Sequence, residues 1–136
     1  MGFFATSGRW KTWSRVRTLF LAVAVVSYLG TEFGRFVLRP WVRENGFEDF
    51  GLTDTIGNWG GILVQIFVGL TILHPNRLQS FRLATFYAAG FILYEFLQPY
   101  LPKGTFDWND VLGTLAGWIV AMVLLALVWK RFPEQA

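Results

Sequence analysis

Asp110-Val111-Leu112-Gly113-Thr114-Leu115-Ala116-Gly117 opens the last apolar run of the chain, and Asp54-Thr55-Ile56-Gly57-Asn58-Trp59-Gly60-Gly61 opens an earlier one in almost the same words. Each stretch reads aspartate, an apolar residue two positions on, then glycines three and seven positions on. Before each, at the far end of the preceding apolar run, stands Glu-Phe-x-(Arg or Gln): Glu32-Phe33-Gly34-Arg35 and Glu95-Phe96-Leu97-Gln98. The pattern is that of one two-helix unit written twice.

The runs around these landmarks are long enough for a bilayer. With 136 residues, 54% hydrophobic and 18% aromatic, the chain is too apolar for an ordinary soluble domain. Four segments, near residues 17 to 38, 55 to 74, 81 to 98 and 110 to 129, each approach the ~20 residues that a helix rising ~1.5 Å per residue needs to cross ~30 Å of hydrocarbon. The residues from Thr114 to Trp129 lack the alternation of a transmembrane strand. The expected fold is a single all-α integral membrane domain over residues 1 to 136, four transmembrane helices arranged as a duplicated two-helix hairpin. Helices one and three run in the same direction, so the two units are expected to be related by an axis along the membrane normal, with their glycine faces meeting near the centre.

Charge sets the expected orientation. Arg9, Lys11, Arg15 and Arg17, with Trp10 and Trp13 among them, precede the first apolar run. A secretory signal begins in the same way, but the run continues through Ser27-Tyr28-Leu29-Gly30 with no small-x-small cleavage site, which reads as a retained helix. Placing the amino terminus inside also places Arg77, Arg82, Lys130 and Arg131 inside, so that eight of the twelve basic residues share the cytoplasmic side. Eight of the nine acids fall at or beyond the outer ends, Glu134 being the exception. The expected location is the bacterial inner membrane, multi-pass, with both termini cytoplasmic. The basic residues are too divided to form a polyanion surface, so nucleic acid is not an expected partner.

The polar residues below the expected membrane surface are the candidates for function, because ionisable groups there are costly unless something uses them. They are Glu32, Arg35, Asp54, Asn58, Glu95, Gln98 and Asp110. The plain reading is that Glu95 with Gln98, and Glu32 with Arg35, satisfy each other or a neighbouring helix end; of the functional candidates Glu95 leads, having no basic neighbour in sequence, and Arg35 is a candidate cross-repeat partner for it. Asp54 and Asp110 are also placed to cap their helices, where a carboxylate accepts free amide hydrogens and faces the positive end of the dipole. Trp59 and Trp108, beside the two aspartates, are belt or packing residues with a second use as sugar-stacking platforms. His74, the lone histidine, ends the second helix ahead of Pro75; its plain role is interfacial, and its alternative is as a pigment or haem ligand. No second histidine completes a metal site, and no cofactor is expected. Zero cysteines remove disulfide and thiolate chemistry.

The order Glu95-Phe96-Leu97-Gln98, a short loop with Pro102 and Gly104, then Phe106-Asp107-Trp108-Asn109-Asp110-Val111-Leu112 and Gly117 resembles the VanZ-like family of small membrane proteins over roughly residues 91 to 120. Asp54, Asn58 and Gly61 repeat the family's Asp-Asn-Gly spacing. Thr105 stands where that family tends to have arginine, and Thr114 where it has asparagine. The resemblance implies a bacterial envelope protein of a family with members linked to resistance to the glycopeptide teicoplanin, without a catalytic activity.

The sequence holds no nucleophile-elbow serine, glycine-rich phosphate loop or histidine-glutamate pair at metal spacing. The expected function is therefore non-enzymatic: an outward-facing acidic and amide cluster that binds a glycopeptide, a lipid-linked saccharide or a lipid headgroup. The alternative is an accessory transmembrane subunit of a larger membrane complex, in which the cluster is structural. A membrane-embedded hydrolase using Glu95 and Asp110 is a third reading.

Overall fold

The structure is a computed structural model that describes residues 6 to 133, with side chains from residue 15 onward. The expected roles of Arg9, Lys11, Trp10, Trp13 and Glu134 therefore lie outside the described side chains. Every regular element among the described residues is helical. Helix α1 spans Thr6–Phe33 and passes through a π-helical turn, Gly34–Leu38, into α2, Arg39–Glu44. Helix α3 covers Ile56–Leu73, α4 covers Arg77–Leu97 with a 3-10 turn at Gln98–Tyr100, and α5 covers Trp108–Arg131.

The four apolar runs are thus found as helices, with shifted ends. The first does not stop near residue 38: Pro40, expected to mark its exit, sits in the first turn of α2, where a missing amide hydrogen is tolerated. Immediately ahead of it the backbone switches to wider bonding, the Arg39 amide donating to the Gly34 carbonyl five residues back. The outer connection accordingly begins near Asn45 and not at residue 39. Helix α4 starts four residues earlier than expected because Asn76 and Gln79 form a reciprocal capping box, each side chain accepting from the other's backbone amide. At the end of α3, His74 adopts a left-handed conformation, φ 48°, that terminates the helix ahead of Pro75.

Three segments, Arg15–Glu44, Ile56–Leu73 and Trp108–Arg131, are long and apolar enough to cross a membrane. The surface agrees: Val26, Ile72, Phe86 and Leu127 are all more than half exposed, as lipid-facing side chains are and core side chains are not. Helix α4, the fourth expected span, is not among these three segments, since Arg77, Arg82 and Glu95 interrupt its apolar run.

Helix α3 is the central element, and α1, α4 and α5 all pack against it. Residues Leu63, Ile66, Phe67 and Leu70 form its buried face at helical spacing, meeting Phe20 and Ala24 of α1, Ala84 of α4, and Ala121 and Leu125 of α5. The Phe20 ring lies 5.8 Å from that of Phe67 and 6.3 Å from that of Trp129, which closes the core at the basic end of the bundle.

The glycines decide how closely the helices approach. A Cβ on Gly117 would lie 2.9 Å from the Trp59 Cα, and one on Gly113 would lie 3.2 Å from Asn58 Cβ, so α5 rests directly on the first turns of α3. Contacts that advance from Thr55 and Asn58 to Trp59 and Ile62 as α5 advances from Gly113 to Gly117 make the two helices parallel. The expected meeting of two glycine faces does not occur. Gly57 and Gly61 face open space, whereas Gly60 packs against Thr31 of α1 and Gly69 against Tyr87 of α4. Helix α3 spends its small residues on its other neighbours because α5 already reaches it through glycines of its own.

Candidate functional site

Parallel α3 and α5 start at one end of the bundle, and antiparallel α1 and α4 finish there. The contact of Gly60 with Thr31, and of Gly34 with Ile56, shows α1 running against α3. Phe96 of α4 lies 6.1 Å from Trp108 of α5, ring to ring, at the same level. Glu32, Arg35, Asp54, Asn58, Glu95, Gln98 and Asp110 therefore share one end, as the repeat requires, but they fall into three separate groups.

The central group joins both halves of the chain. The Asn58 side-chain amide donates to a carboxylate oxygen of Asp110, a bond between residues 52 apart that the close approach at Gly113 permits. Beside it, Gln98 Nε2 donates to Glu95 Oε2 at 2.6 Å. Glu95 is 96% removed from solvent, being only 4% exposed, and the charges of Asp110 and Asp107 act on it directly. No ion pair among the described residues involves Glu95 or Asp110. Of the two readings of Arg35, the local one forms: its Nη1 lies 3.4 Å from Glu32 Oε1, one helical turn away, without a cross-repeat pairing to Glu95, and Glu32 with Arg35 forms the second group at the bundle's edge.

Asp54 forms the third. It was expected to cap α3, yet the N-cap is Thr55, which makes no side-chain capping bond. Asp54 instead accepts from Arg43 Nη2 at 2.8 Å and sits 2.7 Å from Arg39 Nε. Two arginines four apart on α2 present one face to it, and their combined charge outcompetes the weak dipole of a helix end. Asp110 likewise does not cap α5. Asp107 does, accepting from the Asn109 amide at 2.8 Å, which leaves Asp110 one turn inside and free to meet Asn58.

Next to the residues of the central group in the chain stands an aromatic cluster. Phe106 stacks on Phe96 at 5.2 Å and meets Trp108 edge-on at 5.0 Å, fastening the connection between α4 and α5. That connection turns tightly at Gly104, where a Cβ would come within 2.8 Å of the Gln98 carbonyl carbon. Trp59, which follows Asn58, is partly exposed, and Trp108, two residues before Asp110, more so. His74 lies at the opposite, basic end.

The sequence reading missed Arg39, Arg43 and Asp107. The i, i+4 spacing of the arginines and the offset of Asp107 from the helix start were both readable, but the repeated Asp-x-apolar-Gly pattern drew the capping role to Asp110.

No family model, curated protein or solved structure matches this chain. What the central group offers is therefore read from its chemistry: oxygen acceptors from two carboxylates and two amides, with no cationic side chain among the described residues paired to them. Such a set is complementary to donors, namely hydroxyls and amines.

Proposed function

We propose that the protein is a non-enzymatic component of the bacterial inner membrane, crossing it four times with both termini cytoplasmic, whose Asn58, Glu95, Gln98 and Asp110 bind the donor-bearing headgroup of an envelope ligand, a glycopeptide or a lipid-linked saccharide. The observation that carries this reading is the burial of Glu95 beside Asp110 with amides, not cations, as their partners. Uncompensated acids are unfavourable in the low-dielectric environment of a membrane bundle, and a ligand supplying hydroxyl or ammonium hydrogens offsets that cost. Partly exposed Trp59 and Trp108 add apolar faces of the kind that sugar rings stack on. Helix α4, at 21 residues, is long enough for the fourth crossing, with Glu95 buried in the bundle and the exposed Arg77 and Arg82 near its cytoplasmic start. The likeness of residues 91 to 120 to VanZ-like proteins supports the same assignment from sequence alone, and a glycopeptide amine suits an acidic site.

The test is titration of detergent-extracted protein with a fluorescent glycopeptide and with a lipid-linked saccharide. The double variant Glu95→Gln, Asp110→Asn keeps side-chain size and removes both charges; it is expected to weaken binding at least tenfold, about 1.4 kcal/mol. Glu32→Gln, in the separate edge pair, is expected to leave binding unchanged. Equal binding by the double variant, with a stoichiometric partner protein in gentle extracts, would replace this reading with that of an accessory subunit.

A further inference from the structure

A second site lies along α4 and uses none of the polar residues of the three groups above. Leu83, Phe86, Tyr87, Gly90, Phe91 and Tyr94 line an open groove of about 560 Å³ along the exposed side of the helix. Its floor is Gly90, where a Cβ would meet nothing within 4 Å. Tyr87 leans inward against Gly69 of α3. The groove continues past Phe86 into a smaller one of about 280 Å³ lined by Phe81, Arg82 and Thr85. Arg82 is exposed, and no carboxylate among the described residues pairs with it; the three ion pairs there all lie at the acidic end.

We propose that this groove holds an acyl chain of an anionic phospholipid whose phosphate rests on Arg82. Length supports it: the lining runs eleven residue steps, from Leu83 to Tyr94, about 17 Å of helix, close to the ~15 Å depth of one leaflet's hydrocarbon. Composition supports it as well, since the lining is apolar except at the end where the cation stands. A docked helix would bury Arg82 without a partner unless it brought its own acid, whereas a phosphodiester supplies the anion as part of the same molecule as the chain. Free phosphate would satisfy Arg82 and leave the apolar groove empty.

Native mass spectrometry of the full chain in detergent, offered equal amounts of phosphatidylglycerol and phosphatidylcholine with identical chains, tests this directly. The wild-type protein is expected to retain the anionic lipid about fivefold over the zwitterionic one, the order of one arginine facing an anionic headgroup. Arg82→Gln is expected to bring the ratio close to one. Gly90→Leu, which fills the groove at a position with room for a side chain, is expected to lower retention of both lipids. Wild-type protein without preference, an Arg82→Gln variant that keeps it, or displacement of the lipid by excess inorganic phosphate would each overturn the proposal. Both variants are at open positions, and an unchanged thermal transition verifies that lost retention is not lost fold.

Discussion

Gly117 and Gly61 are written into equivalent places of the two repeated stretches, and physically they are opposites. A methyl group on Gly117 would press on the backbone of Trp59, which cannot rotate away, so α5 would have to lift from α3. Gly117→Ala is therefore expected to destabilise the bundle by about 1 to 3 kcal/mol, the range of overpacked sites. Gly61→Ala meets open space and is expected to fall within about 0.5 kcal/mol of wild type. Denaturation in graded mixed micelles, followed by circular dichroism, separates the two; equal losses would remove the close α3 to α5 contact. This is also where legibility ended at residue level. The sequence displays glycines at helical spacing, but which of them carries a contact depends on the neighbour, and the neighbour of Gly117 is a stretch of backbone that no side-chain pattern reveals. Glu95 was visible from its isolation among apolar residues, and Gln98 from its spacing of three. The repeat brought Asn58 and Asp110 to one rim, but their bond was not legible, since nothing local joins residues 52 apart.

Among the elements, the long rod from Thr6 to Glu44 was the least legible, because a proline in an apolar run normally ends a helix and here a π turn absorbs it. The rod matters for the connection that follows. Arg39 and Arg43, carried beyond the π turn, hold Asp54, and Asp49 ties the middle of the loop by accepting from the Gly51 amide at 3.1 Å, the Thr53 amide at 2.8 Å and the Thr53 hydroxyl at 2.5 Å. The Thr53 hydroxyl, and then its amide, hold the Asp49 carboxyl below its ordinary value. A depressed carboxylate contributes order that is complete above the unfolded value, about 3.9, and is lost as pH falls below it through the folded value. Amide exchange at Gly51 and Thr53 is thus expected to stay protected at pH 5 and to accelerate below about pH 4, ahead of the amides of α3. Asp49→Asn should produce the fast exchange at neutral pH. Protection that ignores both changes would show that the loop is held by other contacts, such as that of Gly51 beside Asn109.

For the molecule as a whole, the distribution of charge makes a prediction that three apolar helices alone do not. If α4 crosses the bilayer with α1, α3 and α5, the connection at residues 74 to 76 and the end of α5 share one side, and residues 45 to 55 and 101 to 107 share the other. If α4 instead lies along the surface, as a helix interrupted by Arg77 and Arg82 is able to, the acidic end of α5 loses its neighbour Phe96 and the burial of Glu95 has no reason to exist. The absence of cysteine makes this testable without background. Single cysteines at Phe50, Lys103, Asn76 and Lys130 are expected to divide two and two: an impermeant maleimide added to intact spheroplasts labels the first pair, and the second pair reacts only after the membrane is opened. Lys and Arg near the ends of short loops favour the cytoplasm, which assigns the second pair to the inside. Labelling of Asn76 and Lys103 from the same side would place α4 outside the bilayer core, and with it would go the enclosed environment on which the reading of Glu95 and Asp110 as a ligand site depends.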